Sequence, residues 1–264
     1  MTRKKRSRPS SKSKRSASTR RTRPRRRLSA RPRVTTAVFD LDDTLYDCYG
    51  QRVLAAHRHA AQAMVRAGLP ATPEHVLRVR MRAFRRDPRI SRIDLEICRR
   101  FGVEHPEKII QAARQAFYTL PVGKLKLFPA SLRVLRTLHR AGVRIFIVSF
   151  GDPFTQHAKV RSLGLDREPS VERIFYADTA HLVTKEGVFR SLLRHVEPDR
   201  EKILVVGDRP SSEIRAGKSL GMRTARLRHG EFLGLKPAGP EEEADFTLRD
   251  IAGVLRLPLR FGRD

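Results

Sequence analysis

The chain of 264 residues carries 56 Lys and Arg against 28 Asp and Glu, a formal charge of +28, with two cysteines and no tryptophan. That length accommodates a full hydrophobic core with one inserted subdomain. No apolar run reaches membrane-spanning length, and Cys48 and Cys98 form neither a metal-ligand nor a disulfide pattern. A disulfide-stapled scaffold is thereby excluded, no membrane partner is expected, and a reducing cytoplasm is the expected compartment.

The charge is unevenly placed. Residues 1–33 hold sixteen of the basic side chains, no Asp or Glu, and many Ser, Thr and Pro. Such a segment buries too little apolar area to offset its ordering entropy, so a disordered basic tail is expected. It lacks the apolar stretch of a secretory signal. Arg and Ser enrichment without acids also fits a transit peptide, against which stand Pro9, Pro24, Pro32 and the absence of an amphipathic face. Nonspecific binding to a nucleic-acid backbone is the natural capability of this charge. Residues 34–264 remain basic at +12.

In chain order, residues 34–41 read as a buried strand: apolar, β-branched and ending in carboxylates. Turn-spaced apolar residues then predict helices over 51–67, 73–85, 92–101 and 106–118, punctuated by Gly68-Leu69-Pro70 and Asp87-Pro88. The run RVRMRAFRRDPRISR, residues 78–92, is either a solvated basic face or an attractor of anions. From 127 onward helices and strands alternate: helix 131–140, strand 143–148, helix 152–163, strand 173–177 and helix 185–195. Strand 203–206, helix 212–220, strand 223–226 and a last helix at 250–255 follow. This rhythm argues for an α/β fold, a parallel sheet with helices on both faces. Residues 34–45 and 126–264 form the expected core domain, and 46–125 an inserted α-helical subdomain.

Ligands of such sheets collect outside the carboxyl ends of the strands. Three apolar strands here end in polar groups: Asp40 and Asp42, then Ser149, then Asp208, with Lys185 opening a helix between the last two. Four carboxylates stand within residues 40–47. Like charges so close raise one another's pKa, which a site built around a cation would offset; a solvated acidic turn is the alternative. Hard oxygen donors with few nitrogen or sulfur partners favour Mg²⁺.

Taken in order, VFDLDDTLYD, IFIVSFGD, the Lys of VTKEGVF and ILVVGDRPSSEIRAGKSLGM resemble the four motifs of the haloacid dehalogenase-like superfamily of hydrolases, over about residues 34–257. The resemblance implies a Rossmann-like core with a helical cap inserted after the first motif. It also implies a Mg²⁺-dependent phosphatase that acts on a small phosphorylated metabolite through an aspartyl-phosphate. By the same resemblance Asp40 is the nucleophile and a metal ligand. Asp42 protonates the leaving oxygen, then activates water, and binds the metal through its backbone carbonyl. Asp208 is a third ligand, and Glu213 holds a metal-bound water or a neighbouring ligand. Ser149 donates to the phosphoryl oxygens, and Lys185 neutralises charge on the nucleophile and the transferring group.

Asp42 separates two chemistries. Expelling halide needs no proton, and dehalogenases of this superfamily generally lack an acid at that position, so phosphoryl transfer to water is preferred. The pattern departs from the commonest one at Glu213, where Asp is frequent and where a first-turn helix acid is the plainer reading. It departs again at Glu186, where Pro often follows the lysine. Asp43, at a position often Gly, is expected to have a structural role, Thr44 to hydrogen-bond within the loop, and Asp47 to lead into the cap. Cys48 is expected to be a small packed residue, and His57 and His59 to lie on a helix surface. Two other functions stay open: a nucleic-acid-associated phosphatase-like protein tethered by residues 1–33, and a phosphomutase that transfers the group to a second sugar hydroxyl.

Overall fold

Strand alternation organises the chain about one sheet. The computed structural model describes residue 2 and residues 31–86, 93–177, 184–196 and 199–263. The chain divides into Met1–Ala30 and Arg31–Asp264, and the fold described is that of the second unit. The expected disordered tail lies almost wholly outside the described residues, and so does the end of the Arg-rich run.

The first strand is interrupted. β1, Arg33–Val34, pairs with a strand at the far end of the chain, and β2, Thr36–Asp40, enters the main sheet. Thr35 marks the break, its N–H donating to the carbonyl of Lys202. Four helices follow: α1, Leu54–Arg66; α2, Pro73–Arg86; α3, Ile93–Arg100; and α4, Glu107–Tyr118. Their apolar faces pack on one another, with Met64, Val76, Phe84, Ile97 and Ala113 in a hydrophobic cluster of their own. Of the arginines on α2, Arg78, Arg82, Arg85 and Arg86 are exposed while Arg80 is buried, so the basic run is mostly a solvated face with one residue turned inward.

The chain then alternates as expected. α5, Ser131–Arg140, leads to β3, Arg144–Phe150; α6, Pro153–Ser162, to β4, Arg173–Ala177; and α7, Lys185–Leu192, to β5, Ile203–Gly207. α8, Arg215–Ser219, precedes β6, Arg223–Leu227, and the short β7, Phe246–Leu248, and β8, Arg260–Phe261, complete the set. The six-stranded sheet runs β4-β3-β2-β5-β6-β7 with every pairing parallel. Alternate residues serve opposite faces: Phe39, Ile147 and Val206 join one core cluster, while Val38, Val148 and Val205 join another.

Two expectations need revision. The segment predicted as a helix over 212–220 opens as a π-turn, Pro210–Ile214, before its α-helical part, and the last helix is a 3₁₀ segment, Ile251–Arg256. β7 and β8 are too short to announce themselves by composition.

An ion pair between the exposed Arg136 and the buried Glu168 ties α5 to the turn after α6. Arg136 donates from Nε and Nη2 to Glu168, which also accepts from the Ser170 hydroxyl. The Arg136 hydrogen bonds, reinforced by Ser170 and opposed by burial, hold the Glu168 carboxyl down at about 2. A carboxylate with a lowered folded-state pKa stabilises the fold above its unfolded pKa of about 4.3 and loses that contribution as pH falls toward the folded value. Glu168→Gln is therefore expected to lower the urea midpoint at pH 7, with the gap to the unmodified chain narrowing steadily from pH 4.5 to pH 2.

Candidate active site

Asp40 ends β2, the strand at which the winding changes direction, with β3 on one side and β5 on the other. This is where a doubly wound sheet leaves a crevice at its carboxyl edge. The turn that follows is tight. Leu45 N–H donates to Leu41 carbonyl, and Asp43 takes a left-handed φ of 53°, a conformation few residues other than glycine adopt readily. Asp43 is tied down from both sides: its carboxylate accepts from the N–H of Tyr49 at 2.9 Å and from that of Glu231 at 3.0 Å. Asp47 accepts from Gly50 N–H at 2.7 Å, where the chain departs toward α1.

The carboxylates occupy unlike surroundings. Asp40 is buried against Lys185, whose ammonium donates to it and also to Glu213 at 2.9 Å. Burial lifts the Asp40 carboxyl to about 7; Lys185 opposes the rise, and Glu213 and Asp42 add to it. Asp208, just beyond β5, is pushed well up by burial and by the neighbouring Glu213 and Asp40. Glu213 goes down, because Lys185 and the N–H of Arg209 outweigh its burial. Asp42 also goes down: burial raises it, but Lys159 more than compensates, donating to both carboxylate oxygens at 2.9 and 2.7 Å, with the Tyr46 hydroxyl at 2.7 Å.

Asp40, Asp208 and Glu213, all buried, can bring one oxygen each to within 4.8 Å of one another. One ammonium pairs with two of these three buried carboxyls, and burial with mutual repulsion pushes Asp40 and Asp208 upward. Hard oxygen donors in that state fit a divalent cation such as Mg²⁺. The Asp42 side chain lies apart from this trio, occupied by Lys159.

Local geometry explains how Glu213 reaches the trio. The π-turn Pro210–Ile214 widens the helix start, and Glu213 curls back to accept from the Arg209 N–H at 2.5 Å. It passes so close over β5 that a methyl group on Gly207 would run into its side chain. Arg226 of β6 fixes the same region, donating to the carbonyls of Asp208 at 3.1 Å and of Phe232 and Leu235 at 2.8 Å.

These groups open on a cavity of about 600 Å³ between the sheet edge and the helices α1–α4. Asp40, Asp42, Lys159, Lys185, Asp208 and Glu213 line one side; His57, Arg80, Phe84 and Phe117 line another. Ser149 is absent from that lining. Its hydroxyl donates to Gln156 Oε1 at 2.9 Å, and Gln156 in turn donates to the Phe150 carbonyl. A hydroxyl carries one hydrogen, so as placed Ser149 has none for a phosphoryl oxygen. Thr44 hydrogen-bonds within the loop through its backbone, its N–H donating to the Leu41 carbonyl at 3.4 Å, while its Oγ1 is buried without a partner among the described residues. One smaller expectation is corrected. His57 is buried rather than on the surface: Arg80 Nε donates to its Nδ1 at 3.4 Å, and Phe84 and Phe117 meet its ring edge-on. His59 is exposed and Cys48 buried, as expected.

Residues 34–221 match the description haloacid dehalogenase-like hydrolase, well over half of the chain. The chain belongs to that family. Among curated relatives of this haloacid dehalogenase-like hydrolase, a glyceraldehyde 3-phosphate phosphatase of Methanopyrus kandleri is 27% identical over 84% of this chain and 97% of its own. A glyceraldehyde 3-phosphate phosphatase of Pyrococcus abyssi is 28% identical over 75% of this chain and 83% of its own. Of solved structures, the magnesium-bound HAD-hydrolase YfnB from Bacillus subtilis aligns with a TM-score of 0.59 at 21% identity, covering 86% of this chain and 99% of that one. Among the described residues no helix is long and apolar enough to cross a membrane.

Sequence reasoning missed Lys159 and Arg226. Lys159 was findable: the inward face of the helix predicted over 152–163 carries Gln156 and Lys159 where apolar residues would normally sit, and both are buried. The geometry at Gly207 yields a direct check. Gly207→Ala is expected to cost about 1–3 kcal/mol in chemical denaturation by overpacking Glu213. Gly123→Ala, with nothing within 4 Å of the added methyl, should leave the midpoint unchanged.

Proposed function

We propose that the chain is a Mg²⁺-dependent phosphatase that hydrolyses a small phosphomonoester through an aspartyl-phosphate on Asp40. The observation that carries this reading is the pairing of two carboxylates in opposite environments two residues apart: Asp40 beside Lys185 in the acidic trio, and Asp42 held by Lys159 and Tyr46. A nucleophile and a proton carrier need that inequality.

Asp40, Asp208, Glu213 and the Asp42 carbonyl would hold the cation, which when bound would supply the positive charge that lets a phosphate dianion approach a carboxylate. Lys185 holds the attacking oxygen in place and neutralises it. Asp40 forms a bond to phosphorus as the ester P–O bond breaks, and Asp42 delivers a proton to the departing oxygen. Asp42 then takes a proton from water, whose oxygen attacks phosphorus, frees phosphate and restores Asp40. At rest Asp42 is ionised by Lys159, which suits the second half; to act as acid it must loosen that pair and take up a proton. Helices α1–α4, over the cavity, act as the cap that shields these steps from water. The named substrate of the curated relatives, glyceraldehyde 3-phosphate, sets the size class, and a cavity of 600 Å³ accommodates a phosphorylated metabolite of that size.

Purified full-length protein is expected to hydrolyse an aryl phosphate with Mg²⁺, to lose that activity on chelation and regain it on adding Mg²⁺ back. Asp40→Asn should abolish it; turnover that persists in either case contradicts the mechanism. Asp42→Asn should slow alkyl phosphates by about 10²–10⁴-fold and aryl phosphates less, because a phenolate departs with less help from an acid. Equal losses on both ester types would remove Asp42 from the role of acid.

A further inference from the structure

The cations described along the cavity are not all placed alike. Lys185 is taken by Asp40 and Glu213, Lys159 by Asp42, and Arg80 by Asp94. Arg209 lines the same cavity, yet among the described residues no carboxylate lies within ion-pair distance of its guanidinium, and its Nε is buried without a hydrogen-bond partner. Glu231 faces the same space but makes no ion pair with it. Instead the guanidinium carbon lies 4.7 Å from the centre of the Phe232 ring.

With the guanidinium carbon over the ring and no carboxylate paired with it among the described residues, the two terminal amino groups of the fork have no anionic partner. A planar fork is suited to two oxygens of a phosphate, and stacking fixes its orientation before the anion arrives. Its anchors are rigid on both sides. Arg209 follows Asp208 directly, its backbone N–H is bound by Glu213, and Arg226 clasps the carbonyls of both Asp208 and Phe232. The Arg209 backbone thus sits beside the acidic trio while its guanidinium lies at Phe232 in the same cavity, which a dianion must enter past carboxylates and where Ser149 has already given its hydrogen to Gln156.

We propose that Arg209, held against Phe232, is the residue through which this chain captures the phosphoryl oxyanion of its substrate and of the product phosphate. The inference deepens the phosphatase reading and rests on it for the word substrate; capture of phosphate itself does not require turnover.

The test uses the full chain with Mg²⁺, phenyl phosphate as substrate and inorganic phosphate as ligand. Arg209→Met is expected to raise KM for phenyl phosphate and the inhibition constant for phosphate together, by about tenfold or more, the scale of a lost charge-assisted hydrogen bond. Arg209→Lys, which keeps the charge and loses the fork, should fall between the two. Phosphate should also raise the melting temperature of the unmodified chain more than that of either variant. Unchanged KM and phosphate inhibition in folded Arg209→Met, or a fall in kcat alone, overturns the proposal. So does an equal thermal shift in all three proteins. Should the unmodified chain leave phenyl phosphate intact while the thermal shift depends on Arg209, the phosphatase reading fails and phosphate capture stands.

Discussion

One buried ammonium organises the site. Lys185 stands at the start of α7, its position set by Thr184, whose hydroxyl accepts from the Gly187 N–H. From there it bridges Asp40, at the end of β2, and Glu213, in the π-turn after β5. Removing one member of a buried ion pair typically costs about 3–5 kcal/mol, because its partner is left charged and dry. That constraint reaches outward. Gly207 must lack a side chain for Glu213 to lie where Lys185 needs it, and the π-turn must widen to bring Glu213 back over β5. The wide turn, the bare strand end and the lysine at a helix start are parts of one electrostatic solution.

The same logic separates Asp40 from Asp42. Asp40 is buried and Asp42 partly so, and loss of water alone would push both upward. What differs is the company each keeps. Asp40 shares its lysine with Glu213 and is crowded by the charges of Glu213 and Asp42, so its carboxyl stays raised; Asp42 is held by Lys159 at both oxygens and by the Tyr46 hydroxyl, so its carboxyl is lowered. Two residues of backbone and two lysines from different helices turn a repulsive acidic run into groups with separate tasks. Asp43 completes the arrangement as a mechanical part, its left-handed backbone and two accepted N–H bonds holding the loop to Tyr49 and Glu231.

Much of this was legible from the chain. β2, β3 and β5 are apolar along most of their length because helices cover both faces of the sheet, and that composition survives without any tertiary information. The order of Asp40, Lys185 and Asp208 along alternating elements was sufficient to bring them to one edge. Contacts made across elements were not legible. Ser149 ends a strand as expected, but Gln156 folds back from α6 to take its hydrogen. His57 lies on a helix whose sequence looks solvated, and only Arg80 and two aromatic rings from other helices bury it. β7 is three residues long and exists through its register against β6 rather than through its own propensity.

The central claim is that Asp40 becomes phosphorylated. Rapid acid quenching of the full chain during turnover of a phosphomonoester with Mg²⁺, followed by peptide mass spectrometry, tests it directly. The account predicts a phosphoryl group on the peptide spanning residues 34–52, located at Asp40 and released by hydroxylamine as an acyl phosphate is. Turnover that yields phosphate with no phosphorylated peptide, or with the group on any other side chain, contradicts it.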